Sequence, residues 1–255
     1  MRVAIGGYST TKFSLEQTPI EKLLVSATKR VFENTKNLSQ KDIDAVLVST
    51  NNNKKYLAPI LSELTGISPK ISHSIENMCN SGANAIVSGF SYIASGMADV
   101  VLIAGAEQAE NSAQVLDWDI SRGEFTHPTF WGTMFTKAHK REFGTTDEEL
   151  AYVSTLNHKN AKDNPNAYNP KNYTLDDVMN SKHLTEDLRL LDCSRSCSGS
   201  SAVLLVSEKI AKKYTDSPIF ISGIGQKTTS ASFTKNNLTK IESTISAASQ
   251  AYSMA

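Results

Sequence analysis

The chain has 255 residues, and Lys+Arg and Asp+Glu each total 26, so its formal net charge is zero. No basic block exceeds short pairs such as Lys140-Arg141 and Lys212-Lys213, which argues against nucleic acid and membrane surfaces as partners. A chain of this length buries roughly 70–75% of its unfolded surface, enough for one large domain or two small ones without a metal or disulfide scaffold.

Short apolar, partly β-branched runs at residues 3–5, 43–49 and 100–105 read as buried strands. Helical patterns lie between them. The first opens at Pro19-Ile20, with Leu23, Leu24, Ala27, Val31 and Phe32 at helical spacing and Thr18 as the expected N-cap. A second covers 56–64 and ends at Gly66. The third, from about 81 to 96, carries Ala83, Ala85, Ile86, Gly89, Ala94 and Gly96; such small residues let a helix approach its neighbours, and it is expected to be buried. This alternation predicts an α/β fold, a parallel or mixed sheet with helices on both faces. From about 107 to 184, Trp, His, Pro and Asn become common. Helical periodicity persists over 133–143 and 146–160, residues 164–170 (NPNAYNP) signal a loop, and the region reads as an inserted, mainly helical cap. The β pattern resumes at 201–206, followed by a short helix over 208–214 and a further run at 218–224. An amphipathic helix over 241–255 has nothing after it to receive its apolar face, so the isolated chain is expected to associate or to be poorly soluble.

Three cysteines is an odd count, which points to reduced thiols rather than a disulfide framework. The apolar run at the N-terminus is too short for a signal peptide, and no run approaches the roughly 18 residues of a membrane span; the expected location is the cytoplasm.

One cysteine has a setting of its own. Residues 75–85, IENMCNSGANA, place Cys79 between a β-like run and the small-residue helix. The N-terminus of a helix offers unpaired N–H groups and the positive end of the macrodipole, which favour a thiolate. Ser81-Gly82 form a small first turn with room for a carbonyl group to approach the sulfur, and the Cys79 N–H is placed to help hold an oxyanion. The local pattern also fits a small buried hydrophobe at a strand–helix junction.

IENMCNSGANAI at 75–86, followed by GMADVVLIAGAE at 96–107, resembles the nucleophile segment and next strand of the thiolases. RVAI at 2–5 with TKF at 11–13 is similar to the opening strand of their archaeal and sterol-carrier-type branch. FGTT at 143–146, NHKN at 157–160 and NP at 164–165 are similar to that branch's loop domain, and DLRLLDC at 187–193, SE at 207–208 and ISGIGQ at 221–226 complete the order. The resemblance implies helices packed on a mixed five-stranded sheet. It divides the chain into an N-terminal domain (1–110 and 186–226), a loop domain (111–185) and the start of a C-terminal domain (227–255) whose remainder is absent. It departs from the family at 197–201, where CSGSS stands in place of an aspartate or asparagine before Gly-Ala-Ala, and the fold is expected to survive the change. The family's histidines, in His-Asp-x-Phe-like and Gly-His-Pro-like motifs, and its second cysteine, in a Cys-Gly-Gly-like segment, belong to the second half and have no counterpart here.

The five histidines are His73, His127, His139, His158 and His183. His158 falls in the matched loop-domain motif and is a candidate for the coenzyme A channel, beside the blander reading of a helix histidine satisfied by a backbone carbonyl. His73 precedes Cys79 by six residues on a strand-like run, roughly 20 Å if extended, so it is not its base in cis. Phe130, Trp131 and Met134 are expected either in the core or along the pantetheine tunnel. Residues 6–12 (GGYSTTK) lack the spacing of a Walker or dinucleotide loop. Cys193 and Cys197 supply too few ligands for zinc and are expected to pack beside the sheet; no metal is expected.

The resemblance thus implies an acetyl-CoA C-acetyltransferase that forms or cleaves acetoacetyl-CoA through a Cys79 acyl-thioester. The coenzyme A thioester enters as substrate, without a bound cofactor. On this reading the chain is inactive or incomplete without the C-terminal half, which either a separate polypeptide or the remainder of a longer gene product would supply. Pairing through the N-terminal sheet into a dimer or larger homo-oligomer is expected, and complexes with a hydroxymethylglutaryl-CoA synthase and a small bridging protein occur in this branch. The alternative is a non-catalytic subunit that binds coenzyme A or serves assembly. A ketoacyl synthase relative shares the fold and nucleophile, but the loop-domain motifs count against it.

Overall fold

The apolar runs become strands of one mixed sheet. In the computed structural model, which describes residues 1–109, 119, 121, 123–168 and 170–255, these strands are β1 (Val3–Thr10), β2 (Ala45–Ser49), β3 (Ile71–Ile75), β4 (Val100–Glu107), β5 (Gly199–Ser207) and β6 (Ile219–Ile221). Their order is β3-β2-β4-β5-β1-β6. β2 runs parallel to β3 and β4, β5 lies antiparallel between β4 and β1, and β6 is antiparallel to β1. The sheet therefore has six strands rather than the expected five. The added strand is three residues long: Ile219, Phe220 and Ile221 pair with Ile5, Ala4 and Val3, and the Arg2 guanidinium lies 4.5 Å from the centre of the Phe220 ring.

Side chains alternate between the two faces with the strand period of two. On one face Val46, Val48, Leu102 and Leu204 pack against α1 (Ile20–Asn34) and α2 (Leu57–Thr65). On the other, Ala45, Leu47, Val101, Ile103 and Leu205 pack against α3 (Ser81–Ala94). α1 buries Ile20, Leu23, Leu24, Ala27, Thr28 and Val31 at helical spacing, each large apolar side chain contributing about 1.5–3 kcal/mol. Its N-cap is Pro19, not Thr18, and no side chain caps it; the Thr18 carbonyl instead accepts a hydrogen bond from Gln108 Nε2 at 2.8 Å. α2 ends at Gly66, whose φ of +72° is the left-handed conformation that stops a helix there.

α3 is buried on one face only, which corrects the expectation of a buried helix. Ser81, Ala85, Gly89, Phe90 and Ile93 turn inward, whereas Ala83 and Ala94 are exposed. The small residue that matters for packing is Gly89, where a Cβ would lie 3.0 Å from Ile103 Cδ1 and 3.1 Å from Leu205 Cδ1.

Two compact units are distinguished: Met1–Ser112 with Ser196–Ile224 and Met254–Ala255, and Ala113–Arg195 with Gly225–Ser253. The second contains α4 (Pro128–Phe143), α5 (Asp147–Ala161) and α6 (Leu175–Met179). α4 begins ahead of the expected 133 because Pro128 suits its first turn and the His127 ring accepts the Thr129 N–H at 3.2 Å. A capping box between Thr146 and Glu149 opens α5. Nearly buried Arg189 ties this unit together, giving Nη2 to Asp147 at 3.0 Å and Nε to the Met179 carbonyl at 3.2 Å. Of the expected loop at 164–170, the Asn164 side chain accepts the Asn166 N–H at 3.0 Å. Asn169, like residues 110–118 of the expected cap and its margin, lies outside the described residues. α7 (Ala211–Tyr214), in the first unit, is shorter than expected, a turn closing at Ile210 first. α8 (Glu242–Met254) has no buried residue, and Ile241, Ile245 and Tyr252 near or within it are exposed. Among the described residues no helix is long and apolar enough to cross a membrane.

Candidate active site

β3 ends at Ile75, where Ser49 of β2 is its partner and Gly105 of β4 is in turn the partner of Ser49. The chain leaves this strand end through Glu76 and Asn77, makes one 3₁₀ turn over Met78–Asn80 and enters α3 at Ser81. Three short hydrogen bonds hold the turn. Met78 N–H donates to Glu76 Oε1 at 2.7 Å, Asn77 N–H donates to Ser81 Oγ at 2.7 Å, and Ser81 Oγ donates to the Met78 carbonyl at 2.7 Å. Met78 has a φ of +51°, a left-handed conformation that is costly for a side chain of this kind.

Cys79 sits on this turn as an exposed free thiol, so the reading of a small buried hydrophobe is overturned. Beside it, a Cβ on Gly82 would meet, among the described residues, only Ser49 Oγ, at an ordinary contact distance of 3.9 Å. Glu107 anchors the neighbouring loop: its carboxylate accepts the Thr50 hydroxyl at 3.1 Å and the Asn51 N–H. His73 is engaged elsewhere on its strand, with Nε2 2.8 Å from the Tyr92 hydroxyl.

The other expected site residues belong to the second unit. Phe130 and Met134 on α4 are exposed, which rules out a core role for them, and Phe130 packs edge-on against Phe125 at 5.0 Å. Trp131 is partly buried and its ring lies 6.3 Å from that of Phe135. The partly buried His158 ring meets the Tyr173 ring edge-to-face at 4.7 Å. Burial pushes the Cys193 and Cys197 thiols up from their ordinary range, and the Asp192 charge adds to the effect at Cys193. Among the described residues no group of His, Cys, Asp or Glu is arranged to hold a metal ion. At the CSGSS departure, the Ser198 hydroxyl accepts the Ala109 N–H at 3.1 Å, so a polar anchor persists there.

In the sequence Ser81 stands out only as a small residue in the first turn of the helix. Its bidentate hydroxyl and the Glu76 contact depend on the turn geometry, which no periodicity announces.

The family model for the thiolase N-terminal domain matches residues 1–209. The chain belongs to the thiolase family. An acetyl-CoA acetyltransferase of Methanothermobacter thermautotrophicus is 33% identical over 269 residues, an alignment covering 99% of this chain and 70% of that relative. Sterol carrier protein 2 of Oryctolagus cuniculus is 33% identical over 168 residues, covering 59% of this chain and 30% of its own length. Among solved structures, the Ltp2-ChsH2(DUF35) aldolase superposes with a TM-score of 0.87 at 24% identity, covering 99% of this chain and 69% of that one, and it shares the fold. By family, this thiolase chain is an acyltransferase.

Proposed function

We propose that the chain carries the nucleophile of an acetyl-CoA C-acetyltransferase and that Cys79 accepts the acyl group. The observation that carries this reading is the exposed Cys79 thiol at the opening of α3 in a thiolase-family chain. In the acylation step the Cys79 thiolate attacks the thioester carbonyl carbon, the bond from that carbon to the coenzyme A sulfur breaks, and the departing sulfur takes up the proton that Cys79 released. The helix N-terminus opposes the negative charge that develops on the carbonyl oxygen, and the Cys79 N–H is the proposed donor to it. The absence of a side chain at Gly82, where a Cβ would lie at ordinary contact distance from Ser49 Oγ, supports an approach of the acyl group from that side. Coenzyme A is a substrate in this scheme, and Phe130, Met134 and His158 are proposed to contact its pantetheine arm. The histidines and second cysteine that complete acetoacetyl-CoA formation or cleavage are proposed to come from a further half of the fold. Residues 1–110 with 186–226 are the proposed N-terminal domain, 111–185 the loop domain and 227–255 the start of that further half. A cytoplasmic homo-oligomer joined through the N-terminal sheet is the proposed assembly. The aldolase neighbour, a two-component complex by its name, supports a search for further protein partners; a hydroxymethylglutaryl-CoA synthase is the partner proposed from the thiolase resemblance alone.

The test is intact-mass analysis after incubation with acetyl-CoA, beside Cys79→Ala. A single acetyl adduct that disappears in the variant is the expected result. Absence of the adduct, with coenzyme A still bound, would replace this reading with that of a binding or assembly subunit.

A further inference from the structure

We infer that Ser81 is a positioning residue for the acyl-transfer step; this rests on the assignment of Cys79 as the nucleophile. A cysteine on a free 3₁₀ turn can point its sulfur in many directions, whereas attack on a thioester requires one. Ser81 removes that freedom from a distance of two residues. The residue is 5% exposed, and its one hydroxyl accepts from the Asn77 N–H and donates to the Met78 carbonyl, both at 2.7 Å. One group it grips is in the peptide that joins Met78 to Cys79 and the other in the peptide that joins Glu76 to Asn77; between them stand Asn77 and Met78, and the φ of +51° at Met78 is one that a relaxed chain abandons. From the outer side, the Glu76 carboxylate grips the same residue through the Met78 N–H at 2.7 Å. The geometry thus fixes the backbone on the N-terminal side of the nucleophile from two directions, one of them buried, while leaving the thiol exposed.

This arrangement differs from an ordinary helix cap. No side chain caps α3 at Asn80, and the Ser81 hydroxyl bonds backward across the turn to residues 77 and 78 instead of to the first N–H groups of the helix. Its bonds therefore order the turn that carries Cys79 more than they order α3. The side chain at 81 must be small enough for the buried site and must both accept and donate, which leaves serine and, with one extra methyl group, threonine.

Three proteins decide the matter: the full chain, Ser81→Ala and Ser81→Thr. Each is treated separately with acetyl-CoA and with iodoacetamide, and modification at Cys79, Cys193 and Cys197 is followed by mass spectrometry. The two other cysteines report on general loosening within the same molecule. Expected for Ser81→Ala is a loss of between about tenfold and a hundredfold in the rate of Cys79 acetylation, with alkylation at Cys193 and Cys197 unchanged and with Ser81→Thr restoring most of the rate. Acetylation by Ser81→Ala at the parental rate would overturn the inference. So would a rise in reactivity at all three cysteines together, or a Ser81→Thr variant no better than Ser81→Ala. If the parent chain takes up no acetyl group, the acyl-transfer reading fails by itself. Iodoacetamide then decides the ordering role alone: a changed Cys79 rate in Ser81→Ala, restored in Ser81→Thr, supports it, and an unchanged rate overturns it.

Discussion

Lys70 donates to one oxygen of the Asp44 carboxylate at 2.8 Å, while the other oxygen accepts the backbone N–H groups of Asp99 at 2.9 Å and Val100 at 3.1 Å. Asp44 immediately precedes β2, Lys70 immediately precedes β3, and Val100 opens β4. One carboxylate therefore ties together the amino ends of three parallel strands, and the carboxyl end of β3 leads into the Cys79 turn.

Asp44→Ala is expected to cost about 1–3 kcal/mol, because two strand-end N–H groups lose their acceptor. A urea melt measures it. The acid response follows from the sign of the shift. Burial pulls the Asp44 carboxyl up, but the Lys70 bond and the two backbone N–H bonds outweigh it and hold the carboxyl below its ordinary value. The folded state thus prefers the ionised form; the stabilisation is complete above the unfolded-state pKa of about 3.9 and is lost as pH falls through the lowered value. The gap in stability between parent and Asp44→Ala should shrink on acidification below about pH 4, and a constant gap would contradict the assignment.

The three thiols should differ in reactivity. Cys79 is exposed, whereas burial raises the ionisation of Cys193 and Cys197 above the ordinary range. Since the thiolate is the reacting form, limited iodoacetamide at neutral pH should label Cys79 first, and the lag of the other two should narrow as pH rises or on unfolding. Peptide mapping of a time course checks the order.

Gly7 and Thr35 form a coupled pair. A Cβ at Gly7 would collide with the Thr35 hydroxyl, and that buried hydroxyl has no hydrogen-bond partner among the described residues. Gly7→Ala alone should destabilise by about 1–3 kcal/mol through overpacking. Thr35→Ala alone should lie within about 1 kcal/mol of the parent, because it removes a polar group that bonds to nothing. The double variant should recover part of the Gly7→Ala loss, and a double-mutant cycle by chemical denaturation measures the coupling.

Gly82→Ala separates folding from chemistry. Among the described residues the new Cβ meets only Ser49 Oγ at 3.9 Å, and alanine favours a helix over glycine, so stability should hold or rise by up to about 1 kcal/mol. Acetylation of Cys79 should slow if the acyl group uses that space. An unchanged rate in Gly82→Ala and Gly82→Val alike would move the approach path elsewhere.

The sequence alone determined the features that local chemistry dictates. Leu23, Leu24, Ala27 and Val31 repeat at the period of a helix and become the inward stripe of α1; Gly66 stops α2; and the β-branched runs around Val46 and Val101 become central strands. The segment around Cys79 was legible as well, because a cysteine ahead of a small-residue helix is a local pattern. Tertiary structure decided what depends on partners distant in sequence. That β5 enters between β4 and β1, pairing Leu205 with Val101 and Ile5, follows from which apolar face each strand must bury, and no single strand records it. Only the fold shows which face of α3 is inward and that Phe130 and Met134 are exposed, since an apolar residue in a helix carries no mark of what covers it. The Ser81 clip spans just five residues, from Asn77 to Ser81, yet it too was hidden, because it requires Met78 in a left-handed conformation that its residue type does not favour and that the closed turn sustains.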